Sequence, residues 1–344
     1  MNSILRKRKP DFTNLQKVLE CKKPDRPTLF ELFMNDSLYE ILTGRKRPNR
    51  EDELEHLKFV VDAFEAAGYD YATTHGSKFM FIEGQEKHKE TISLNAREII
   101  FDEKSFSDFK WEDPEDYDYS KLEKIGDYLP HGMKLAVMGP GGVLENVISL
   151  TGYDNLCYML YDDPELLKQV FDNVGQRLVK YYEIAAQHDS VGLIISNDDW
   201  GFNTQTFLPP WAMSEYVYPW HKKIVDTAHR YNKPVILHSC GYYLDTMEVL
   251  ITDLNYDGKH SFEDNILRVE DSYDRWKGRI AILGGMDVNF VIEASEEDIK
   301  RRSRNMIEKS LDCGGDALGT GNSVPEYIPV EKYLAMISVI HDVY

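Results

Sequence analysis

From about residue 27 to the end, short β-rich runs alternate with longer segments of helical period, and that alternation leaves few folds open. The runs are 27–33, 69–75, 134–140, 191–200, 233–241, 256–262, 279–287 and 315–322, with helical stretches at 51–68, 164–187, 209–232 and 295–315 among those that separate them. This is the pattern of repeated βα units around a parallel sheet. Eight runs predict an α/β fold of the closed (β/α)8 TIM-barrel type, one domain over 27–344 behind an N-terminal extension of 1–26. Gly68, Gly314 and Gly315 fall just past helical runs, where a left-handed cap is wanted. Ser295 followed by Asp298 reads as an N-cap with an acidic first turn.

A chain of 344 residues suits such a barrel, and 42% hydrophobic with 12% aromatic residues is ample material for one large core. The stretch 79–127 breaks the rhythm with EGQEKHKE and DEKSFSDFKWEDPEDYDYSK. It reads as an insertion between strands two and three, either a lid over the active site or a solvated excursion with a surface helix or two. Lys+Arg at 40 against Asp+Glu at 59 gives a net charge of −19, which repels nucleic-acid backbones and anionic membranes. No apolar run reaches the roughly 18 residues of a membrane span, and MNSILRKRKPDF lacks the apolar stretch of a secretory signal. The expectation is a cytoplasmic protein with neither nucleic acid nor membrane as a partner. In that reducing setting Cys21, Cys157, Cys240 and Cys313 are free, metal-bound or catalytic rather than bridged.

In a parallel barrel the active site is built at the C-terminal ends of the strands, and here those ends are crowded with polar residues. They carry Glu31, His75, Asp198 with Asp199, His238 with Cys240, His260, Asp287 and Asn322. His238 and Cys240 are two apart at the end of an apolar run, so in an extended strand they leave the same face and can share a metal. Cys313 in LDCGGD precedes a glycine pair that lets the chain bend and turn a thiolate toward the mouth. One imidazole and two thiolates suit zinc, with a fourth position left over as in catalytic sites. An H-x-C pair also has an ordinary reading, a small buried thiol beside a histidine that satisfies a backbone group.

The segments MGPGGVLENVISLTGYDNLCYMLYDDPELL, SNDDWG, PPWAMSEYVYPWHKKIV, LHSCG, GGMD and GTGNSVPEYIPVEKYLAM together resemble the uroporphyrinogen decarboxylase superfamily, a (β/α)8 fold that also contains zinc-dependent corrinoid methyltransferases. The resemblance implies an H-x-C…C zinc motif on His238, Cys240 and Cys313. True decarboxylases carry an arginine-rich motif after the first strand, whereas FELFMNDSLYEILTG holds no arginine before Arg45. Their aspartate after strand two is replaced in ATTHG, and their G-H-G reads Gly319, Thr320, Gly321. The methyltransferase branch therefore fits better. It implies zinc as cofactor, methylcobalamin supplied by a partner corrinoid protein, and a small-molecule thiol or methyl donor as substrate. The chain carries no D-x-H-x-x-G corrinoid motif of its own. The alternative is a decarboxylase with an altered site.

Within that reading Asp198, Asp199 and His75 are the candidate catalytic residues, though paired acids before Trp200 can equally cap the next segment. Glu31, His260, Asp287 and Asn322 are candidate substrate contacts. Glu31 can also serve as a fourth zinc ligand or be an ordinary polar site, and His75 and His260 can be hydrogen-bonded barrel histidines. Cys21 and Cys157 read as structural.

Overall fold

The computed structural model of the chain describes residues 8–82, 94, 95 and 98–341. One sheet runs through it with seven strands in sequence order, β1 (Tyr71–His75), β2 (Lys134–Met138), β3 (Val191–Asn197), β4 (Val235–His238), β5 (Gly258–His260), β6 (Ala281–Leu283) and β7 (Asp316–Ala317). Every neighbouring pair is parallel. Parallel pairs need crossovers, and helices such as Pro164–Ala186, Tyr218–Arg230 and Glu296–Ser310 supply them. Covered on both faces, β3 is buried at all seven positions, which is why VGLII reads as an apolar run before the polar Ser196 and Asn197 at the strand end.

The expected first strand, 27–33, is reduced to isolated bridges, Leu29 with Leu318 and, just past that run, Met34 with Val324. The reason lies in one side chain. The Tyr71 hydroxyl takes a hydrogen bond from Glu31 N at 2.7 Å and donates to Glu31 O at 2.6 Å, so a phenol stands where a backbone ladder would. The same segment thus touches β1 on one side and the chain beyond β7 on the other. The sheet is therefore curled round on itself in TIM-barrel-like fashion, with seven strands and a bridge where eight runs were expected.

Between β1 and β2, the place expected for the insertion, the described chain carries the short helices Glu103–Asp108 and Ser120–Lys124 and a 3-10 turn, Pro114–Asp116. Residues 83–93, 96 and 97, which include EGQEKHKE, lie outside the described residues. Two of the expected caps are present: Gly68 ends helix Glu53–Ala67 at φ 90, and Ser295 Oγ accepts from Asp298 N at 3.2 Å, whereas helix Glu296–Ser310 is capped by Leu311 and the left-handed Gly314 and Gly315 lie beyond that cap. Among the described residues no helix is long and apolar enough to cross a membrane.

Within the segment read as an extension, helix Phe12–Leu19 closes the floor of the sheet. Phe12, Leu15, Val18 and Leu19 are buried in the common core, Phe12 against Gly192 and Leu19 against Gly258. A polar clasp holds this segment. Asp70, 2% exposed, accepts from Asp11 N at 2.8 Å and from Arg26 Nη2 at 2.5 Å, and its other oxygen faces Arg8 Nη2 at 3.5 Å. Removing the carboxylate strands two guanidinium groups whose Nε atoms already lack partners. Asp70→Ala is therefore expected to lower unfolding free energy by about 3 kcal/mol in urea titration; a loss under about 1 kcal/mol would show that the clasp does not hold the floor.

Candidate metal centre

The register of the sheet sets Asn197 beside His238 and His238 beside His260, all at C-terminal strand ends. Past His238 the chain stays tied to both neighbours: Ser239 N donates to His260 O at 2.8 Å, and Asp198 N donates to His238 O at 2.9 Å. Cys240 N then donates to Asp199 Oδ1 at 2.7 Å, which draws the thiol and the carboxylate together. Gly241 follows at φ 81, where any Cβ would lie 2.0 Å from Gly201 O, so the loop after β4 can lie flat on the loop after β3 only with glycine here.

Among the described residues this brings together one group able to hold a metal ion, Asp199, His238 and Cys240, with ligand atoms all within 4.8 Å of one another. His238 Nε2 and Cys240 Sγ are 3.8 Å apart. Tetrahedral zinc with its usual bond lengths separates its ligand atoms by about 3.3–3.8 Å, so the imidazole and the thiol stand at the upper edge of that spacing with a carboxylate close enough to join them. Asn322 Nδ2 donates to Cys240 Sγ at 3.3 Å, and Glu263 Oε1 accepts from Gly241 N at 3.1 Å.

The tautomer of His238 follows from its neighbours. His260 Nε2 lies 3.1 Å from Thr320 O, a group that only accepts, so that nitrogen carries the proton. Burial holds His260 neutral by lowering its pKa to about 3, which leaves Nδ1 as an acceptor. His238 Nδ1, 2.7 Å away, must then be the donor. Its Nε2 lone pair is left facing Cys240 Sγ, as a metal ligand requires. Charge tells the same story. Burial, and then the Asp199 carboxylate, push the Cys240 thiol well up, while burial raises Asp199 against the Cys240 hydrogen bonds that lower it. Two acids that resist ionisation side by side are what a divalent cation relieves.

Other candidates are distributed differently. Cys313 is not brought to the centre. Gly314 and Gly315 do bend the chain, at φ 68 and 74, but they do so before β7 begins. Along the register Ala317 is level with Leu283 and hence with His260 and His238, so Cys313, which precedes the strand, lies on the floor side of the sheet. There it is exposed, at the turn where the next residue, Gly314, packs on Lys22.

Asp198 is turned away from the mouth. Wholly buried, it accepts from Leu144 N at 3.0 Å, Glu145 N at 2.9 Å, Trp200 Nε1 at 3.1 Å and His221 Nε2 at 2.8 Å, which engages both of its oxygens. It is the cap of helix Val143–Thr151. Asp287 is likewise taken up by backbone, accepting from Phe290 N at 3.1 Å and Asp264 N at 2.9 Å. His260 is sealed inside and acts on His238, out of reach of a substrate. Glu31 is wholly buried, binds Thr320 through Oγ1 and N, and is held protonated by burial, which raises its pKa to about 8. His75 ends β1, exposed and three strands from β4.

Unanticipated members of the site are Glu263, Ser239, whose Oγ accepts from Trp200 N at 3.2 Å, and Lys259, wholly buried beneath the loop. Lys259 was findable, since a lysine in the short run YDGKHSF needs a reason to be there. Burial lowers its pKa to about 7, opposed by Cys240, Asp199 and Glu263.

A family model for uroporphyrinogen decarboxylase (URO-D) matches residues 133–343, more than half of the chain and all of the segment that builds this centre. The chain belongs to the uroporphyrinogen decarboxylase family. A curated relative, the uroporphyrinogen decarboxylase of Geobacter sulfurreducens, is 22% identical over 189 residues, 54% of this chain and 52% of that protein, so the match spans about half of the relative's length. Among solved structures, a methyltransferase from Methanosarcina mazei superposes with a TM-score of 0.70 at 13% identity, covering 96% of this chain and 98% of that one. At that identity the likeness is one of fold.

The two adjacent aspartates are expected to separate experimentally. Asp198→Ala removes a helix cap and leaves His221 and Trp200 without their acceptor, lowering stability by about 3 kcal/mol or more, whereas Asp199→Ala changes it by about 1 kcal/mol. Equal losses in urea titration would contradict this division. A second test uses pH. Glu31 keeps its proton in the folded chain up to about 8 but loses it near 4.5 when unfolded, so the native state binds more protons between those values and stability must fall as pH rises through them. Compared with Glu31→Gln, the wild type should lose about 3 kcal/mol more between roughly pH 5.5 and 7.5; parallel curves would mean that Glu31 is ionised in the fold.

Proposed function

We propose that the chain is a zinc-dependent methyltransferase that moves a methyl group between a corrinoid protein and a thiol or a small methylated substrate. The observation that carries this reading is the convergence of Asp199, His238 and Cys240 at the C-terminal strand ends, with His260 locking the tautomer that offers Nε2 to a metal. When bound, zinc supplies Lewis acidity that lowers the pKa of a coordinated thiol, so that a nucleophilic thiolate exists at neutral pH. The third protein ligand in this proposal is Asp199, in place of the Cys313 expected from the motif.

The chain's own groups do the rest. His260 and Thr320 O orient the imidazole of His238, and Cys240 N orients Asp199. Asn322, whose amide already reaches Cys240 Sγ, is placed to donate to a second sulfur beside the first. Water is excluded from the inner side by the packed layer of Phe30 and His260, whose rings meet edge-on at 5.0 Å. His75 remains the candidate for contact with a bulky substrate on the far side of the mouth. The methyl group is carried in this reading by methylcobalamin on a separate corrinoid protein, in the cytoplasm.

The decarboxylase reading has the name of the 22% relative behind it. Its porphyrinogen carboxylates would meet Asp199 and Glu263 at the mouth, and the segment after the first bridge offers no arginine before Arg45.

Purified protein should contain about one zinc per chain by mass spectrometry, since one cluster of ligands is present among the described residues. Cys240→Ser and Asp199→Ala should each lower that content at least tenfold, and Cys313→Ser should leave it unchanged. Zinc retained by Cys240→Ser, or lost from Cys313→Ser, would overturn the ligand set. Conversion of uroporphyrinogen to coproporphyrinogen at enzymatic rates would overturn the activity.

A further inference from the structure

Lys259 sits on β5 between Gly258 and His260 and is wholly buried. Its Nζ donates to Ser261 O at 2.5 Å and Ser239 O at 3.2 Å, and it stands 4.6 and 4.8 Å from the ring centres of Tyr243 and Phe262. Two carbonyls and two ring faces thus solvate a cation that no carboxylate touches in this set. Burying a charge this way is unfavourable for folding, and a well-packed apolar side chain of similar length would serve the core at least as well. Its position suggests another use. Ser239 is the residue between His238 and Cys240, so the ammonium lies directly behind the peptide that carries two of the three donors. The acidic groups nearest it in charge coupling are Cys240, Asp199 and Glu263.

Charge at the centre can be counted. A divalent ion with one thiolate and one carboxylate is neutral, and the lysine behind it makes the site positive. An anionic fourth ligand cancels that charge; a neutral one leaves it. At an effective dielectric near 20, a unit charge several ångströms away changes the affinity of an anion by about ten- to a hundredfold and leaves a neutral ligand nearly unaffected. We propose that Lys259 is a positioning residue that selects the charge of the incoming ligand, making the Asp199–His238–Cys240 centre prefer a thiolate to an ether, an amine or any other neutral donor. This rests on the metal-centre reading and narrows it to the thiol-accepting direction of methyl transfer. On binding, the thiol S–H bond breaks, the electron pair stays on sulfur and the proton leaves to solvent.

The test loads the full chain with Co2+ and follows its visible spectrum during separate titrations with 2-mercaptoethanol and imidazole. Sulfur-to-cobalt charge transfer reports the first, and the ligand-field bands report the second. In Lys259→Met, and independently in Lys259→Gln, the ratio of thiol to imidazole affinity should fall at least tenfold with cobalt content unchanged. Lys259→Arg, which keeps the charge, should hold the ratio within about threefold of wild type. A wild-type ratio in either folded neutral variant overturns the proposal while the metal centre stands. A wild-type chain that takes up no cobalt overturns the metal centre and the proposal with it.

Discussion

The geometry of the mouth hangs on one buried carboxylate, that of Asp198. Its oxygens accept from the first turn of helix Val143–Thr151, from the Trp200 indole and from His221. His221 in turn lies 2.7 Å from Tyr256 through Nδ1, so the network reaches from the crossover after β2 to the edge of β5. A fully hydrogen-bonded buried acid is rigid because any displacement strands several partners at once. With Asp198 fixed, the next residue has little freedom, and the Asp199 carboxylate is presented to Cys240 N. The neighbouring aspartates therefore do unlike work: one engages both its oxygens with the scaffold, and the other faces the site.

Burial sets the chemistry of four titratable groups along this wall. It keeps His260 neutral and Glu31 protonated, and it raises Cys240 and Asp199. A neutral His260 is a requirement, because an imidazolium could not accept from His238 Nδ1 and the tautomer argument would fail. A protonated Glu31 can donate to Thr320 as well as accept from it, which suits a carboxyl enclosed among Tyr69, Tyr71 and Tyr333 better than a metal ligand. The deeper the group, the more its role is to hold another group still.

Much of this was legible in the residues. The βα alternation gave the parallel sheet, and H-x-C at the end of an apolar run gave two donors on one face, because strand periodicity is local. Asp199 was visible as a mouth residue but not as the partner of Cys240, since that contact spans 41 residues and depends on the loop after β3 folding back. The first strand was over-read: 27–33 has strand composition, yet whether it forms a ladder was decided by the Tyr71 hydroxyl, which no local pattern reveals. His260 and Asp287 look alike in sequence as polar strand ends, and only the packing tells a relay to His238 from a helix cap.

Cys313 illustrates the remaining limit. A glycine pair beside a cysteine says that the chain can turn, and it does not say at which end of the strand. In a parallel sheet those ends are unlike: every strand arrives from the floor and departs at the mouth, so a residue that precedes its strand is committed to the floor whatever its side chain can bind. Cys21 is on that same floor, its Cα 3.6 Å from where a Cβ on Gly315 would sit. The floor is thus the end that closes the core, through helix Phe12–Leu19 and the Asp70 clasp. The mouth is where three successive strands, β3, β4 and β5, deliver Asp199, His238 with Cys240, and Lys259 with His260. Chain direction therefore separates the thiol placed where it could serve a metal from the one that is not, and the order of residue and strand in the sequence carries that distinction.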